Sequence, residues 1–279
     1  MLLDENKILC LKNIELDYEK EKNKIFCNNF IYKNNFIKYN NEIYYLKKCN
    51  SKRDMSHLLN EIVGEYINKY FNLCSVHNIL VKYYDKDMTY AVITRNFVDN
   101  RKKYHYFDDK LFVNIDNDFS VGLDNLDNLD YVFDSECNKI KVDDNNLDIF
   151  VKNIKKLIVR DFITRQTDRH SENIIVKRLN NKVYLMPIFD CENSFYNDDY
   201  YTFYHIFDFN LLLNKVCYVA RHDYYFQELL VRAMKLDIGF ILDEIEKNYP
   251  IKLNNNEKEC YREVIESQKN KIKKYRLIR

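Results

Sequence analysis

The sequence predicts an α+β chain in two lobes, strand-rich at the amino end and mainly helical at the carboxy end. Three observations carry this. Strand-like alternation dominates residues 1 to about 48 and returns at 79–94, around one amphipathic helix. The period changes to a helical one after Ile149. An acidic, Asn-rich stretch at 108–148 separates the two patterns. The expected organisation is an amino lobe at 1–98, a hinge and acidic connector or insertion at 99–148, and a helical lobe at 149–279.

Each element has its own signal. Phe36–Tyr39 and Ile43–Lys47 alternate on either side of Asn40-Asn41, which predicts a hairpin closed by an Asn-Asn turn. From Met55 to Leu73 the residues Leu58, Leu59, Ile62, Val63, Tyr66, Ile67 and Tyr70 form one wide apolar face, with Asp54 or Ser56 as candidate caps. Ile79–Tyr84 and Thr89–Thr94 read as strands joined at Asp85–Asp87. The 108–148 stretch, with Asn125-Leu-Asp-Asn-Leu-Asp130 almost a repeat, predicts an irregular insertion with short helices, a solvated connector rather than a recruitment surface. Ile149, Val151, Ile154, Leu157, Ile158 and Phe162 predict one buried helix running into Thr164. Two short strands then follow, 174–176 and 183–186, turning at Leu179–Lys182. Helices are expected near 207–219, 224–247 and 256–275.

Composition narrows the function classes. The 279 residues are 46% hydrophobic, enough for a core, and with no Trp the 24 Tyr and 18 Phe must fill much of it. With only 3 Gly and 2 Pro, tight turns fall to Asn and Asp, which tolerate left-handed backbone better than other side chains. The net charge of +1 gives no global field for nucleic acid or an anionic membrane. The basic end Lys269–Arg279 reads as a solvated helix face. The first 25 residues are too charged for a signal peptide, and no apolar run reaches a membrane span. The eight cysteines contain no CxxC pair, which argues against zinc and for reduced thiols, hence a cytoplasmic protein or one delivered to a host cytosol. His105, His205 and His222 have no metal-like spacing.

The chemistry concentrates between Asp161 and Asp190. Asp168 and Asn173 stand five apart, after a helix and before a short strand. Protein kinases use this offset between a catalytic Asp and a metal-binding Asn, because one carboxylate must face the substrate hydroxyl while an amide oxygen turns back to magnesium on the phosphates. Met186-Pro-Ile-Phe-Asp190 then places a second carboxylate after a short apolar strand, with Cys191 and Glu192 following it. Upstream, Lys47 ends a strand and Glu61 lies on the following helix. Lys47 shares a strand face with Tyr45, whereas Lys48 lies on the Leu46 face and is the second choice. Glu65, one helical turn beyond Glu61, is the alternative partner.

Thr167-Asp-Arg-His-Ser-Glu-Asn173 followed by Pro187-Ile-Phe-Asp-Cys-Glu-Asn-Ser194 resembles the HipA-like kinases. These are bacterial serine/threonine protein kinases with a DRHxxN loop and a P-x-(Y/F)-D-x-x-x-S segment, distantly related to phosphoinositide kinases. Tyr39–Lys47, Asn60-Glu61 and Ser75–Asn78 fit the same family, so the likeness spans about residues 30–195. It implies a bilobal protein-kinase-like fold and transfer of the γ-phosphoryl of Mg-ATP to a protein Ser or Thr. Asp168 is expected to be catalytic and Lys47 to hold the phosphates, fixed by Glu61. Asn173 and Asp190 are expected to bind magnesium, and the backbone of Asn96, Phe97 and Val98 to meet adenine. His170 assists catalysis or, by preference, holds the loop, and Arg169 organises it or pairs with an acidic or phosphorylated residue. Two departures stand out. Arg165 occupies a position where the family usually has Gly, and the nucleotide loop Asn28–Asn35 has no glycine. Self-phosphorylation is expected at Ser51, Ser56 or within 194–202, since residues 19–50 hold no Ser or Thr. Other readings are a small-molecule or lipid kinase, an AMP transferase on the same fold, and a pseudokinase scaffold.

Overall fold

A computed structural model describes residues 1–12, 18–21, 24, 35–49, 52–84, 87–106, 131–133, 139–141, 143–166, 169, 173–180, 182–195, 216–217 and 219–278. Strand β1 (Leu2–Leu3) is followed by β2 (Leu9–Lys12), β3 (Phe36–Tyr39) and β4 (Glu42–Lys48). Helix α1 (Lys52–Tyr70) leads to β5 (Asn78–Tyr84) and β6 (Met88–Arg95). Five of these strands form one sheet in the order β2-β5-β6-β4-β3, antiparallel except for the parallel β2–β5 pair. The β3–β4 hairpin closes at Tyr39↔Glu42 through Asn40 and Asn41, at φ 49° and 64°. Both central residues take the left-handed backbone that a two-residue hairpin turn demands. The β5–β6 link expected at 85–87 lies outside the described residues at 85–86.

The sheet separates two apolar clusters. Leu11, Ile37, Leu46, Val81, Tyr83, Ala91 and Ile93 pack on one face. On the other, Leu80 and Val92 meet Leu58, Leu59, Ile62, Val63 and Ile67 of α1. Burying each such aliphatic side chain contributes roughly 1.5–3 kcal/mol. Helix α1 begins at Lys52, before either expected cap, so Asp54 and Ser56 lie inside it. It ends at Tyr70 rather than Leu73. There Asn72 turns left-handed at φ 53°, the amide of Leu73 bonds the carbonyl of Asn68 at 2.9 Å, and that of Asn72 bonds Lys69 at 3.0 Å. This is a Schellman closure with Asn in place of Gly.

Strand β7 (Tyr104–Tyr106) precedes the pair β8 (Tyr131–Phe133) and β9 (Lys139–Lys141). The 108–148 insertion was expected to hold short helices. Its described residues before the next helix form this antiparallel pair. Tyr131-Val-Phe133 and the β-branched Ile140 suit a pleated surface better than a helix. Residues 107–130, including the near-repeat at 125–130, lie outside the described set.

Helix α2 (Asp144–Thr164) is capped by Asp143, whose carboxylate accepts from the amide of Asn146. Its face Phe150, Val151, Ile154, Leu157, Phe162 and Ile163 joins the main core. After it, β10 (Ile175–Leu179) and β11 (Lys182–Leu185) pair through Leu179↔Lys182, with Asn180 left-handed at φ 55°, and β7 flanks β10. The region 224–247, expected as one helix, is two: α3 (Tyr224–Met234) and α4 (Ile238–Asn248). Asp237 separates them, because its side chain caps the amide of Phe240 and starts a new helix. The helix expected near 207–219 lies largely outside the described residues. After β12 (Ile251–Lys252), α5 (Asn255–Lys274) opens on a full capping box between Asn254 and Glu257. β1 pairs with β12, so the first residues of the chain lie against the helical lobe.

Candidate active site

Strand β4 alternates so that Lys47, opposite Val92, faces α1, whereas Leu46, opposite Ile93, joins the other cluster. Lys48 lies on that other side, with its ammonium 4.7 Å from the Tyr83 ring centroid. Lys47 Nζ meets Glu61 Oε1 at 2.5 Å, Asp190 Oδ1 at 2.5 Å and Glu192 Oε2 at 3.1 Å. The structure thus joins Lys47, Glu61 and Asp190, three residues singled out in the sequence, and adds Glu192.

Glu65 is engaged elsewhere. It is buried, accepts from the amide of Asn78 at 2.8 Å, and meets His77 Nδ1 at 2.9 Å and Lys69 Nζ at 2.5 Å. Glu61 turns its second oxygen to the amide of Cys191, 3.0 Å away, so α1 is bonded to the backbone just after Asp190. The helix approaches this closely because residue 64 is glycine. A Cβ there would stand 2.4 Å from Cys191 Cβ and 2.8 Å from both Cys191 Sγ and Arg160 Nη2.

One ammonium serves three carboxylates. Burial works against the charge of Lys47, but Asp190, Glu61 and Glu192 more than offset it and hold the ammonium well above the ordinary lysine value. Burial pushes the Glu61 carboxyl up, Lys47 pulls it back, and the Asp190 charge adds to the rise. Formally the group carries two uncompensated negative charges. Glu61, Asp190 and Glu192 offer oxygens all within 4.8 Å of one another. Magnesium takes oxygen ligands at about 2.0–2.1 Å and usually needs only one or two protein carboxylates. The donor set and the charge excess fit a divalent cation.

Asp190 itself is left-handed at φ 58°, a strained backbone for a residue other than glycine. The 186–190 segment is held on both sides. Ile188 bridges Ser75, its amide bonds Cys74 O at 2.8 Å, and Met186 bonds Ile175 O at 2.9 Å. Gln166 Nε2 donates to Asp190 O at 2.8 Å. Asn60 donates to the carbonyls of Glu192 and Ser194, both at 2.8 Å, and accepts from Tyr261 of α5 at 2.8 Å.

Of the loop, Asp168 and His170 lie outside the described residues, as do Thr167, Ser171 and Glu172. Arg169 and Asn173 are described, and both are buried. Arg169 Nη1 donates to Asn173 O at 3.3 Å and Phe189 O at 2.9 Å, while Nε meets Asp161 Oδ2 at 3.0 Å. The partner of Arg169 is therefore acidic. Asp161 gave no local signal, since eight residues separate the pair and neither helical nor strand periodicity relates them. Arg165 closes α2 at φ 51°, ψ 51°, with Gln166 N bonded to Asp161 O at 2.9 Å and Arg165 N to Phe162 O at 3.2 Å. This left-handed position is the one at which the resembling family carries glycine.

At the expected hinge, the Asn96 amide bonds Ile43 O at 2.8 Å and its side chain donates to Val98 O at 3.3 Å. The Tyr104 hydroxyl lies 3.1 Å from Phe97 O. Each carbonyl keeps a second lone pair. The Phe97 ring lies 6.3 Å from both Tyr104 and Phe189, beside buried Val98 and Ile175. The glycine-free loop at 28–35 lies outside the described residues except for Asn35.

No protein-family model matches the chain, and no curated protein matches it. Among solved structures it is similar to the Helicobacter pylori proinflammatory kinase CtkA, with a TM-score of 0.56 and 19% identity over 85% of this chain and 90% of that one. The fold is kinase-like. The strand-rich and helical lobes expected from the sequence are the two lobes of this kinase-like fold, with Lys47, Glu61 and Asp190 meeting between them. The chain is also similar to Shewanella oneidensis MR-1 HipA, solved with HipB and operator DNA. There the TM-score is 0.41, identity is 12%, and the match covers 88% of this chain and 63% of that one. Among the described residues no helix is long and apolar enough to cross a membrane, and Cys10, Cys49, Cys74, Cys191, Cys217 and Cys260 form no disulfide.

Proposed function

We propose that this chain is a serine/threonine protein kinase that transfers the γ-phosphoryl of Mg-ATP to a protein hydroxyl. The observation that carries the reading is Lys47 Nζ bonded to Glu61 and Asp190 at once, both at 2.5 Å. A lysine fixed by a helix carboxylate, beside a carboxylate on the segment after a strand, is the arrangement that cradles nucleotide phosphates in kinases.

The residues divide the work. Lys47 draws the phosphate oxygens towards it and neutralises part of their charge, while Glu61 fixes its direction. The backbone of Asn96, Phe97 and Val98 takes the adenine edge, over the apolar floor of Phe97, Val98 and Phe189. Asn173 and Asp190, with Glu192, would hold magnesium, which would supply positive charge to offset that of the phosphates. Asp168 orients the substrate hydroxyl and accepts its proton, and His170 holds the loop. Catalysis is then mostly positioning and charge stabilisation.

The test uses ATP labelled at the γ- or the α-phosphate, with magnesium and a mixed protein substrate. Label from γ on Ser or Thr is the expected result. Label from α identifies an AMP transferase. Absence of both, with no ATP binding by calorimetry, overturns the kinase reading and leaves the scaffold.

A further inference from the structure

Asp161 lies on the last turn of α2 and is buried between two guanidiniums. Arg160 Nη1 meets its Oδ1 at 2.6 Å. Arg169 meets it twice, Nε to Oδ2 at 3.0 Å and Nη2 to Oδ1 at 3.3 Å. That grip fixes the plane of the Arg169 side chain, which is only 4% exposed. Its third nitrogen, Nη1, then reaches two carbonyls belonging to different segments, Asn173 O at 3.3 Å and Phe189 O at 2.9 Å. One segment carries Asn173 and the other leads into Asp190. Asp161 also acts through its main chain. Its carbonyl accepts from the amide of Gln166 at 2.9 Å, and the Gln166 side chain donates to Asp190 O at 2.8 Å. Two independent connections thus run from one residue to the two places where metal ligands are expected. Burial alone would lower the Arg169 pKa, but the Asp161 carboxylate more than offsets that and keeps it charged.

We propose that Asp161 is a positioning residue that, through Arg169 and Gln166, sets the spacing of Asn173 and Asp190. The inference rests on the kinase reading for the role of those two ligands, while the linkage itself rests on geometry alone. A charged, planar donor with three bonding nitrogens is required because a single group must satisfy a carboxylate and two carbonyls together. Lysine keeps the charge but presents one nitrogen and cannot span all three.

The experiment compares the full-length parent with Arg169→Lys and Asp161→Asn. Amide hydrogen exchange is followed at 173–176, at 188–191 and across α1, with melting temperature as control. Expected is faster exchange at both 173–176 and 188–191 in each variant, with α1 at the parental level. In the phosphoryl-transfer assay, the magnesium concentration for half-maximal rate should rise about 10–100-fold, the usual effect of losing a residue that orients metal ligands. ATP affinity without metal should stay unchanged. Asp161→Asn removes a charge from between two buried guanidiniums, so if it does not fold, Arg169→Lys decides. Parental exchange at the two segments, or a rise at only one of them, overturns the proposal. If the parent binds no ATP and transfers no phosphate, the kinase reading fails, and the exchange result still decides whether Asp161 couples the segments.

Discussion

Lys47 and Asp168 are expected to fail in different ways when changed. Lys47 pairs with three carboxylates, one of them the buried Glu61. Lys47→Ala removes a phosphate contact and leaves Glu61 without its cation, a cost of about 1–3 kcal/mol. ATP affinity, turnover and melting temperature should all fall together in calorimetry, single-turnover assays and thermal melts. Asp168→Asn is nearly isosteric, so folding and ATP affinity should hold while the single-turnover rate drops about 10²–10⁴-fold, the usual worth of a general base. A variant at position 168 that transfers phosphate at the parental rate would make His170 the leading candidate. The self-phosphorylation candidates also separate at this scale. Ser194 is 1% exposed and closed to a kinase, whereas Ser56 is exposed on α1. Peptide mass spectrometry after incubation with ATP should find phosphate on Ser56 and none on Ser194.

Helix α1 is placed by a residue with no side chain. Gly64→Ala improves helix propensity by about 1 kcal/mol, but its Cβ would meet Cys191 Cβ at 2.4 Å. Overpacking of this kind costs about 1–3 kcal/mol, and relief requires moving either α1 or the segment after Asp190. Urea denaturation should show net loss of stability, and ATP binding should weaken because Glu61 is displaced with the helix. Helix ends offer the opposite opportunity. Arg276 ends α5 at φ 51°, with Leu277 N bonded to Ile272 O at 3.1 Å, and its side chain is exposed. Left-handed backbone costs a side-chain-bearing residue about 1–2 kcal/mol relative to glycine. Arg276→Gly should therefore raise the denaturation midpoint, and an unchanged or lower midpoint would refute the strain argument.

Across the whole molecule, α1 and the helical lobe share one apolar core, and a few polar groups beside the hinge add to that contact. Asp99 accepts from Lys177 of β10 at 3.1 Å and from Tyr104 at 3.0 Å. Hydrogen bonds from Lys177 and then Tyr104 hold its carboxyl down at about 2, against an ordinary 3.8. A depressed carboxylate stabilises the fold fully above its unfolded value, and that contribution disappears as pH falls from 3.8 towards 2. Asp99→Asn should flatten this limb of the stability curve in acid-unfolding experiments and leave its shape near neutrality unchanged.

The sequence by itself determined the elements whose signals are local. The β3–β4 hairpin, the apolar face of α1, the β5 and β6 strands, α2 and the β10–β11 turn were legible because periodicity and Asn-rich turns act over a few residues. Strand alternation likewise separated Lys47 from Lys48. Local signals could not choose between Glu61 and Glu65, which share a helix face. The fold decided by giving Glu65 to the amide of Asn78 and Glu61 to Lys47. They could not find Asp161 as the partner of Arg169, or show that Leu2–Leu3 pairs with Ile251–Lys252. Those contacts join residues that no backbone period relates, so they exist only once burial has packed the elements together and buried charges must find partners.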